Sequence, residues 1–296
     1  MHDGEVDLDP ARVGRLVAGQ FPELAGLPVR AVSSTGTVNA IYRLGDELYA
    51  RLPLVPSRAD DLAAESRWLA EVAGRLTLDV PEPVALGRPG DGYPSSWAIY
   101  RWLDGQPYSD LVVGDEQQAA ADLARFVHEL RAAELGASAP KAGRRPLCQL
   151  DEETREAIES ARGVIDADAA TAAWGLALQA PAWDGERAWI HADLLRPNLL
   201  VRDGRIAAVI DFGSFGAGDP AADVIPAWAV FGEPGRRAYR EALGVDDGTW
   251  ARARGYALHQ AALIIPYYAQ TNPEFSALAR RTVEQVLADI GDAAPR

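Results

Sequence analysis

The stretch His191-Ala-Asp193-Leu-Leu-Arg-Pro-Asn198 is followed thirteen residues later by Asp211-Phe212-Gly213. Core packing poorly explains two carboxylates and an amide on turns at the ends of short apolar runs, because buried polar groups need partners. Magnesium prefers hard oxygen ligands and keeps phosphate oxygens and waters in its shell, so Asn198 and Asp211 suit a nucleotide-bound metal. Asp193 is then left to accept a proton. Phosphoryl transfer asks for these two things: a base that positions the attacking hydroxyl, and neutralisation of charge on the phosphate oxygens.

The elements that must position these residues divide into two groups. Asp9 and Pro10 form an N-cap and first-turn pair ahead of Val13, Leu16 and Val17, which predicts an amphipathic helix ending near Gly19. Short β-type runs follow at 29–33, 39–44 and 47–52, with Gly45 and Asp46 as the turn between the last two. Ser57 can cap a helix running to about Leu76, and two more strands are expected at 84–86 and 97–102. Together they make a small α+β unit of about 100 residues, the size of a domain. Beyond Gly105 the pattern is mainly helical. Leu123, Phe126, Val127 and Leu130 fall on one helix face, and further helices are expected at 151–180, 219–230, 234–243, 248–269 and 274–290. Strand-like runs at 189–191, 199–201 and 206–210 interrupt them around the motif, with Asp203-Gly204 as a turn. The segment 136–146, holding Lys141, Gly143, Arg144 and Arg145, reads as a solvated surface loop, with anion binding as the alternative.

Composition narrows the class. The chain has 296 residues, 48% of them hydrophobic, enough for one large core or two smaller ones. Lys and Arg total 29 against 43 for Asp and Glu, a net charge of −14. That balance repels nucleic acid, attracts a cationic small partner, and does not say which part of the chain would meet it. Lys141 is the single lysine, and the single cysteine, Cys148, excludes an intramolecular disulfide framework or a Cys-rich zinc site. The acidic N-terminus has no following apolar stretch of the signal-peptide kind, and no apolar run approaches the roughly 20 residues of a membrane span. The expectation is a cytoplasmic protein without a membrane partner.

The ordered set resembles the aminoglycoside phosphotransferase family, small-molecule kinases with a protein-kinase-like fold. The family's H-x-D-x-x-x-x-N segment matches His191, Asp193 and Asn198. Its metal-binding Asp matches Asp211 within D-F-G, and Gly218-Asp219-Pro220-Ala-Ala-Asp223 resembles its G-D-P-x-x-D continuation. The similarity runs from about Val29 to Asn272. It implies an α+β, two-lobed fold: a five-stranded N-terminal lobe over 1–100, a hinge at 101–105, and a larger, mainly helical lobe over 106–296. Two departures stand out. In the loop, Ala192 takes the place of the family's usual Gly and Leu194-Leu195-Arg196-Pro197 replaces its His-Pro run; the second is the missing third-strand lysine.

In that fold a basic residue on the third strand holds the α and β phosphates and pairs with a Glu on the adjacent helix. Arg51 is the basic residue there, and Glu65 falls near the centre of the apolar face formed by Leu62, Trp68, Leu69, Val72 and Leu76. An isolated inward carboxylate would be costly, so Arg51 is its natural partner; a guanidinium can also fork two phosphate oxygens. Glu65 in water at the lobe edge is the alternative. The resemblance makes Ser34, Thr35 and Thr37 candidates for γ-phosphate contacts. It also makes the backbone C=O of Arg101 and N–H of Leu103 the adenine contacts.

His191 is expected to hold the catalytic loop, and His128 to face solvent; Asp219 and Asp223 are expected to brace the loop or cap the next helix. Trp228, Phe231, Tyr267 and Tyr268 are candidates for an acceptor pocket, with core packing the competing role. The function implied is transfer of the γ-phosphate of ATP, or GTP, with magnesium, to a hydroxyl of a small, cationic molecule of the aminoglycoside type. Alternatives are a macrolide, peptide antibiotic, amino alcohol or sugar acceptor, or a nucleotide-binding module without turnover. Protein kinase activity fits less well, since no A-P-E segment follows Gly213.

Overall fold

A computed structural model of the chain describes residues 8–32, 39–54, 59–136 and 139–293. Ser34, Thr35, Thr37 and the cap candidate Ser57 lie outside the described residues. The chain separates into two compact units. One comprises Met1–Gly74, Asp79–Asp104 and Ile210–Gly213; the other comprises Arg75–Leu78, Gly105–Val209 and Ser214–Arg296.

In the first unit, Asp9 caps α1 (Pro10–Gln20) by accepting the Arg12 N–H at 2.7 Å, and Pro10 occupies the first turn where its missing N–H costs nothing. Five strands follow: β1 (Val29–Val32), β2 (Asn39–Leu44), β3 (Leu48–Pro53), then, after α2 (Ala59–Ala73), β4 (Pro83–Gly87) and β5 (Trp97–Arg101). They form one antiparallel sheet in the order β1-β2-β3-β5-β4, with β3 at its centre. Gly45, at φ 60°, makes the β2–β3 turn in the left-handed region that glycine adopts freely. Side-chain alternation sorts β3 between two layers. Ala50 and Leu52 join the core that holds Val13, Leu16 and Val17 of α1. Tyr49 packs on the other face with Leu62 of α2, Ala98 and Tyr100.

The second unit is mainly helical. Its elements are β6 (Gln106–Pro107), α3 (Glu116–Ala132), α4 (Asp151–Ser160), α5 (Ala167–Ala177), β7 (Ala188–Ile190), β8 (Leu199–Arg202), β9 (Arg205–Val209), β10 (Gly216–Gly218), α6 (Pro226–Ala229), α7 (Glu233–Leu243), α8 (Asp247–Tyr268) and α9 (Pro273–Ala293). The helix expected over 151–180 is two helices, because Asp166 starts a new one by accepting the Ala169 N–H at 3.0 Å. The helix expected over 219–230 is a 3-10 turn at Pro220–Val224 followed by the short α6. Pro226 supplies no N–H with which a continuous helix could pass that point. Asp203 and Gly204, at φ 52° and 79°, close the β8–β9 hairpin in the doubly left-handed turn that suits strand twist.

The described part of the segment 136–146 is a surface loop, with Lys141, Gly143, Arg145 and Pro146 exposed, and part of it is also held by β10. The Ala217 N–H donates to the Pro140 carbonyl at 2.7 Å and the Ala142 N–H to the Ala217 carbonyl at 3.1 Å, so the chain lies along β10 on the side opposite β7. Glycine permits this approach: a Cβ at Gly218 would sit 2.3 Å from the Ala142 carbonyl oxygen, and one at Gly216 2.6 Å from that of Pro140. Among the described residues, no helix is long and apolar enough to cross a membrane.

Candidate active site

The charged cluster of the first unit is built on β3. Arg51 and Glu65 are both buried, and Arg51 Nη1 donates to Glu65 Oε1 at 2.6 Å. Arg51 Nη2 reaches Asp211 Oδ1 at 3.4 Å. With the Asn39 amide turned so that its oxygen faces the guanidinium, Arg51 Nε and Nη2 both donate to it at 3.1 Å. Burial opposes the charge on Arg51, but Glu65 and then Asp211 outweigh it and raise its pKa above the ordinary arginine value. Asp211 holds its position at φ 62°, left-handed for a residue with a Cβ, and its side chain stays 46% exposed, so a ligand can reach it. Arg101, at the end of β5, is exposed and paired with Glu82 at 3.0 Å, and Leu103 is half-buried.

The second unit carries the other set. Asp193 follows β7 and is half-buried. Asn198 Nδ2 donates to Asp193 Oδ2 at 3.0 Å and to the Asp193 carbonyl at 2.9 Å. Both amide hydrogens are thereby used, and the Asn198 oxygen is the remaining ligand atom. Gln260 of α8 donates to Asp193 Oδ1 at 3.2 Å. His191 is fully buried, and its Nδ1 accepts the Asp193 N–H at 3.2 Å.

Asp223 anchors the loop from beneath. Its Oδ2 accepts the His191 N–H at 2.9 Å and its Oδ1 the Ala192 N–H at 2.8 Å. Its burial raises the carboxyl pKa, opposed by Arg131 and these two backbone donors. Of the two roles expected, Asp219 takes the cap, accepting the Ala221 N–H at 2.9 Å, and its other oxygen takes Arg252 Nε of α8 at 3.0 Å. Arg196 ties the far end of the loop to the Val230 carbonyl at 2.7 Å and to Asp110 at 2.7 Å. Ala192 sits at φ 66°, which explains why glycine is the usual residue there: a Cβ disfavours that conformation.

The aromatic candidates separate. Trp228 and Phe231 are fully buried: Trp228 donates to Asp289 at 3.2 Å, and Phe231 packs on Tyr108 and Tyr239. They are core residues and line no acceptor pocket. Tyr267 is exposed and packs edge-on to Tyr268, which meets Phe275 at 5.1 Å between ring centroids. Phe275 lines a narrow crevice of about 20 Å³, room for about one water, with Leu195, Gln260, Ile264 and Leu278. His128 is exposed, as its helix phase predicts. Sequence reasoning missed Asn39, Arg196 and Gln260. Gln260 left one faint signal, an amide just before the apolar run Ala261-Ala-Leu-Ile-Ile265.

Two stability outcomes follow from this geometry. Ala192→Gly relieves a conformation worth about 1–2 kcal/mol and adds about 0.5–1 kcal/mol of unfolded-state entropy. The variant should therefore unfold at equal or higher urea concentration, and a lower midpoint would contradict the strain. Glu65→Ala strands much of the Arg51 charge and should cost about 3 kcal/mol, whereas Arg51→Met with Glu65→Leu should recover most of that loss. Equal urea midpoints for the single and double variants would contradict the pairing energetics.

Comparison with known proteins agrees with this architecture. Residues 30–256 match the model of the family described as "Phosphotransferase enzyme family". A curated relative, the uncharacterized protein YcbJ of Bacillus subtilis (strain 168), is 27% identical over 196 residues, covering 60% of this chain and 62% of that protein. The chain thus matches about three fifths of that relative's length. Two solved structures share the fold. The GDP complex of aminoglycoside 2'-phosphotransferase-IIIa has a TM-score of 0.70 at 19% identity, over 96% of this chain and 100% of that one. Macrolide 2'-phosphotransferase MphH from Brachybacterium faecium has a TM-score of 0.59 at 23% identity, over 97% and 99%. With its five-stranded antiparallel sheet and helical second unit, the chain has the kinase-like α+β fold and belongs to the phosphotransferase enzyme family.

Proposed function

We propose that this protein transfers the γ-phosphate of ATP, or of GTP, to a hydroxyl group of a small molecule, with an aminoglycoside-type antibiotic as the first acceptor class. One observation carries the assignment: the Asp193 carboxylate is oriented by Asn198 and Gln260 on a loop anchored to a buried acid. Such an orientation suits a base that must meet one hydroxyl proton in one direction. As the acceptor oxygen bonds to the γ-phosphorus, the bond to the β–γ bridging oxygen breaks. The acceptor proton passes to Asp193, and the nucleoside diphosphate leaves.

Arg51, kept charged by Glu65 and Asp211, would hold the α and β phosphates in the role usual for lysine. Adenine would meet the Arg101 carbonyl and Leu103 N–H, and Ser34, Thr35 and Thr37 would face the γ-phosphate. The Asn198 amide oxygen and the Asp211 carboxylate are hard donors of the kind magnesium takes beside nucleotide phosphates. Bound magnesium would neutralise charge on the phosphate oxygens. His191 would keep the loop in shape rather than move protons. Retention of Asp193, Asn198 and Asp211 disfavours a module without turnover. The function suits a cytoplasmic enzyme of antibiotic resistance or self-protection.

Neighbouring structures support the ligand classes: one is a GDP and kanamycin complex, another a streptomycin–ATP complex. A second acceptor reading, a macrolide, draws on the apolar side chains beside Gln260. These are Leu195, Ile264, Phe275 and Leu278, with Tyr268 against Phe275, a surface better suited to contact with an apolar body than with a polycation.

A nucleotide-consumption assay with magnesium, run against aminoglycosides, macrolides and amino alcohols, should show acceptor-dependent phosphate transfer. Asp193→Ala should lower turnover by about 10²–10⁴-fold, the range for loss of a general base, and still bind nucleotide. Near-normal turnover in that variant would sink the base assignment. No acceptor-dependent transfer across the panel would favour a binding module.

A further inference from the structure

Two arginines stand side by side before α4 and behave differently. Arg145 donates to the Gln149 carbonyl at 3.2 Å and to Glu153 at 2.6 Å. The Arg144 guanidinium makes no hydrogen bond or ion pair with the described residues, and its Nε is buried without a partner. Its burial lowers its pKa, with Asp193 and then Tyr256 acting in the opposite direction. A half-buried cation that no acceptor meets by a hydrogen bond is costly even with a carboxylate acting on it through space, and proteins seldom retain one without a ligand to meet it.

The chain holds Arg144 beside the catalytic loop. Ala142 packs against Ile190, Ala192 and Ala222, and its N–H is fixed to Ala217 at 3.1 Å. Gly143 turns at φ 85° where a Cβ would stand 3.0 Å from Ile190 Cδ1 and 3.8 Å from the Asp219 nitrogen. The groups facing Arg144 from α8 give it no counter-charge. The His259 pKa is lowered to about 4, by burial first and then by Arg144, so the ring is neutral at physiological pH. The Tyr256 hydroxyl is 3.4 Å from Asp219 Oδ2, and Asp219 is already engaged with Arg252. Asp193 acts on Arg144 through space without a hydrogen bond to it, and its carboxylate oxygens accept amide donors from Asn198 and Gln260.

We propose that Arg144 is an anion-binding residue of the acceptor site, taking the oxygens of a phosphate or carboxylate group brought in beside Asp193. A guanidinium is built for this, since its planar fork meets two oxygens at once. The anion has two sources: the phosphoryl group in transfer, whose charge spreads over three oxygens, or an acidic group carried by the acceptor. The inference deepens the phosphotransferase reading and rests on it.

Inorganic phosphate is the probe, titrated against the full-length protein with ADP and magnesium present to occupy other phosphate ligands. Phosphate should raise the Tm of the wild type saturably. Its apparent affinity should be about tenfold weaker in Arg144→Met, a loss typical of one charge-assisted contact. Arg144→Met should itself melt no lower than the wild type, because it removes a half-buried charge that makes no hydrogen bond with the described residues; if it fails to fold, Arg144→Gln carries the same comparison. Identical phosphate responses would overturn the proposal.

Steady-state kinetics separates the two sources. If Arg144 meets the phosphoryl group, Arg144→Met should lower kcat at least about tenfold with every acceptor and leave acceptor KM unchanged. If it meets an acid on the acceptor, KM should rise by a similar factor at constant kcat, and Arg144→Lys should restore part of the loss. Unchanged kcat and KM would also overturn the proposal. If the wild type transfers phosphate to nothing, the phosphotransferase reading falls, and the phosphate titration still decides whether Arg144 binds an anion.

Discussion

A guanidinium sealed from water must be matched by negative charge, and in the first unit that constraint ties three segments of the chain to Arg51 on β3. Arg51 leaves the central strand of the sheet on the face that α2 covers. Glu65 meets it from α2, the Asn39 amide from β2, and Asp211 from the segment after β9. The carboxylates offset the cost of burial and keep the group charged. A lysine could supply the charge but not this set of directions, since its ammonium is a compact point and the guanidinium is a flat fork. The partially exposed Asp211 is the member of the cluster open to a further ligand.

The second unit solves the opposite problem, a buried carboxylate. Asp223 is fully buried and is matched by the backbone N–H groups of His191 and Ala192. Those two bonds fix the turn that delivers Asp193, and they hold Ala192 in a left-handed conformation despite its Cβ. Arg196 fastens the other end of the loop, while Asp219, paired with Arg252, caps the turn that follows β10. Asp193 is thus carried on a loop anchored at both ends, which is what a directional proton acceptor needs.

Much of this was legible in the sequence because local rules decide it. The Asp9-Pro10 cap, the Gly45 turn and the five strands follow from capping, turn chemistry and alternation, and the structure places them within a few residues of expectation. The Arg51–Glu65 pair was legible because an inward carboxylate on an apolar helix face demands a cation. What stayed hidden depends on long-range approach. No pattern in Gly216-Ala-Gly218 shows that 140–142 lies alongside it. Trp228 and Phe231 share helical spacing with exposed aromatics, and burial, which sequence spacing does not report, makes them core. Gln260 reaches Asp193 from 67 residues away. Arg144 and Arg145 are chemically identical in sequence and differ only in that the second finds Glu153.

The central claim is that Arg51 does for the nucleotide what a lysine does elsewhere in this fold. The dissociation constant for magnesium-ATP, measured by calorimetry on the wild type and on Arg51→Met, tests it without reference to any acceptor. Loss of one charged phosphate contact is worth about 1.5–3 kcal/mol, so the variant should bind roughly ten- to hundredfold more weakly. Equal affinities in two folded proteins would contradict the claim.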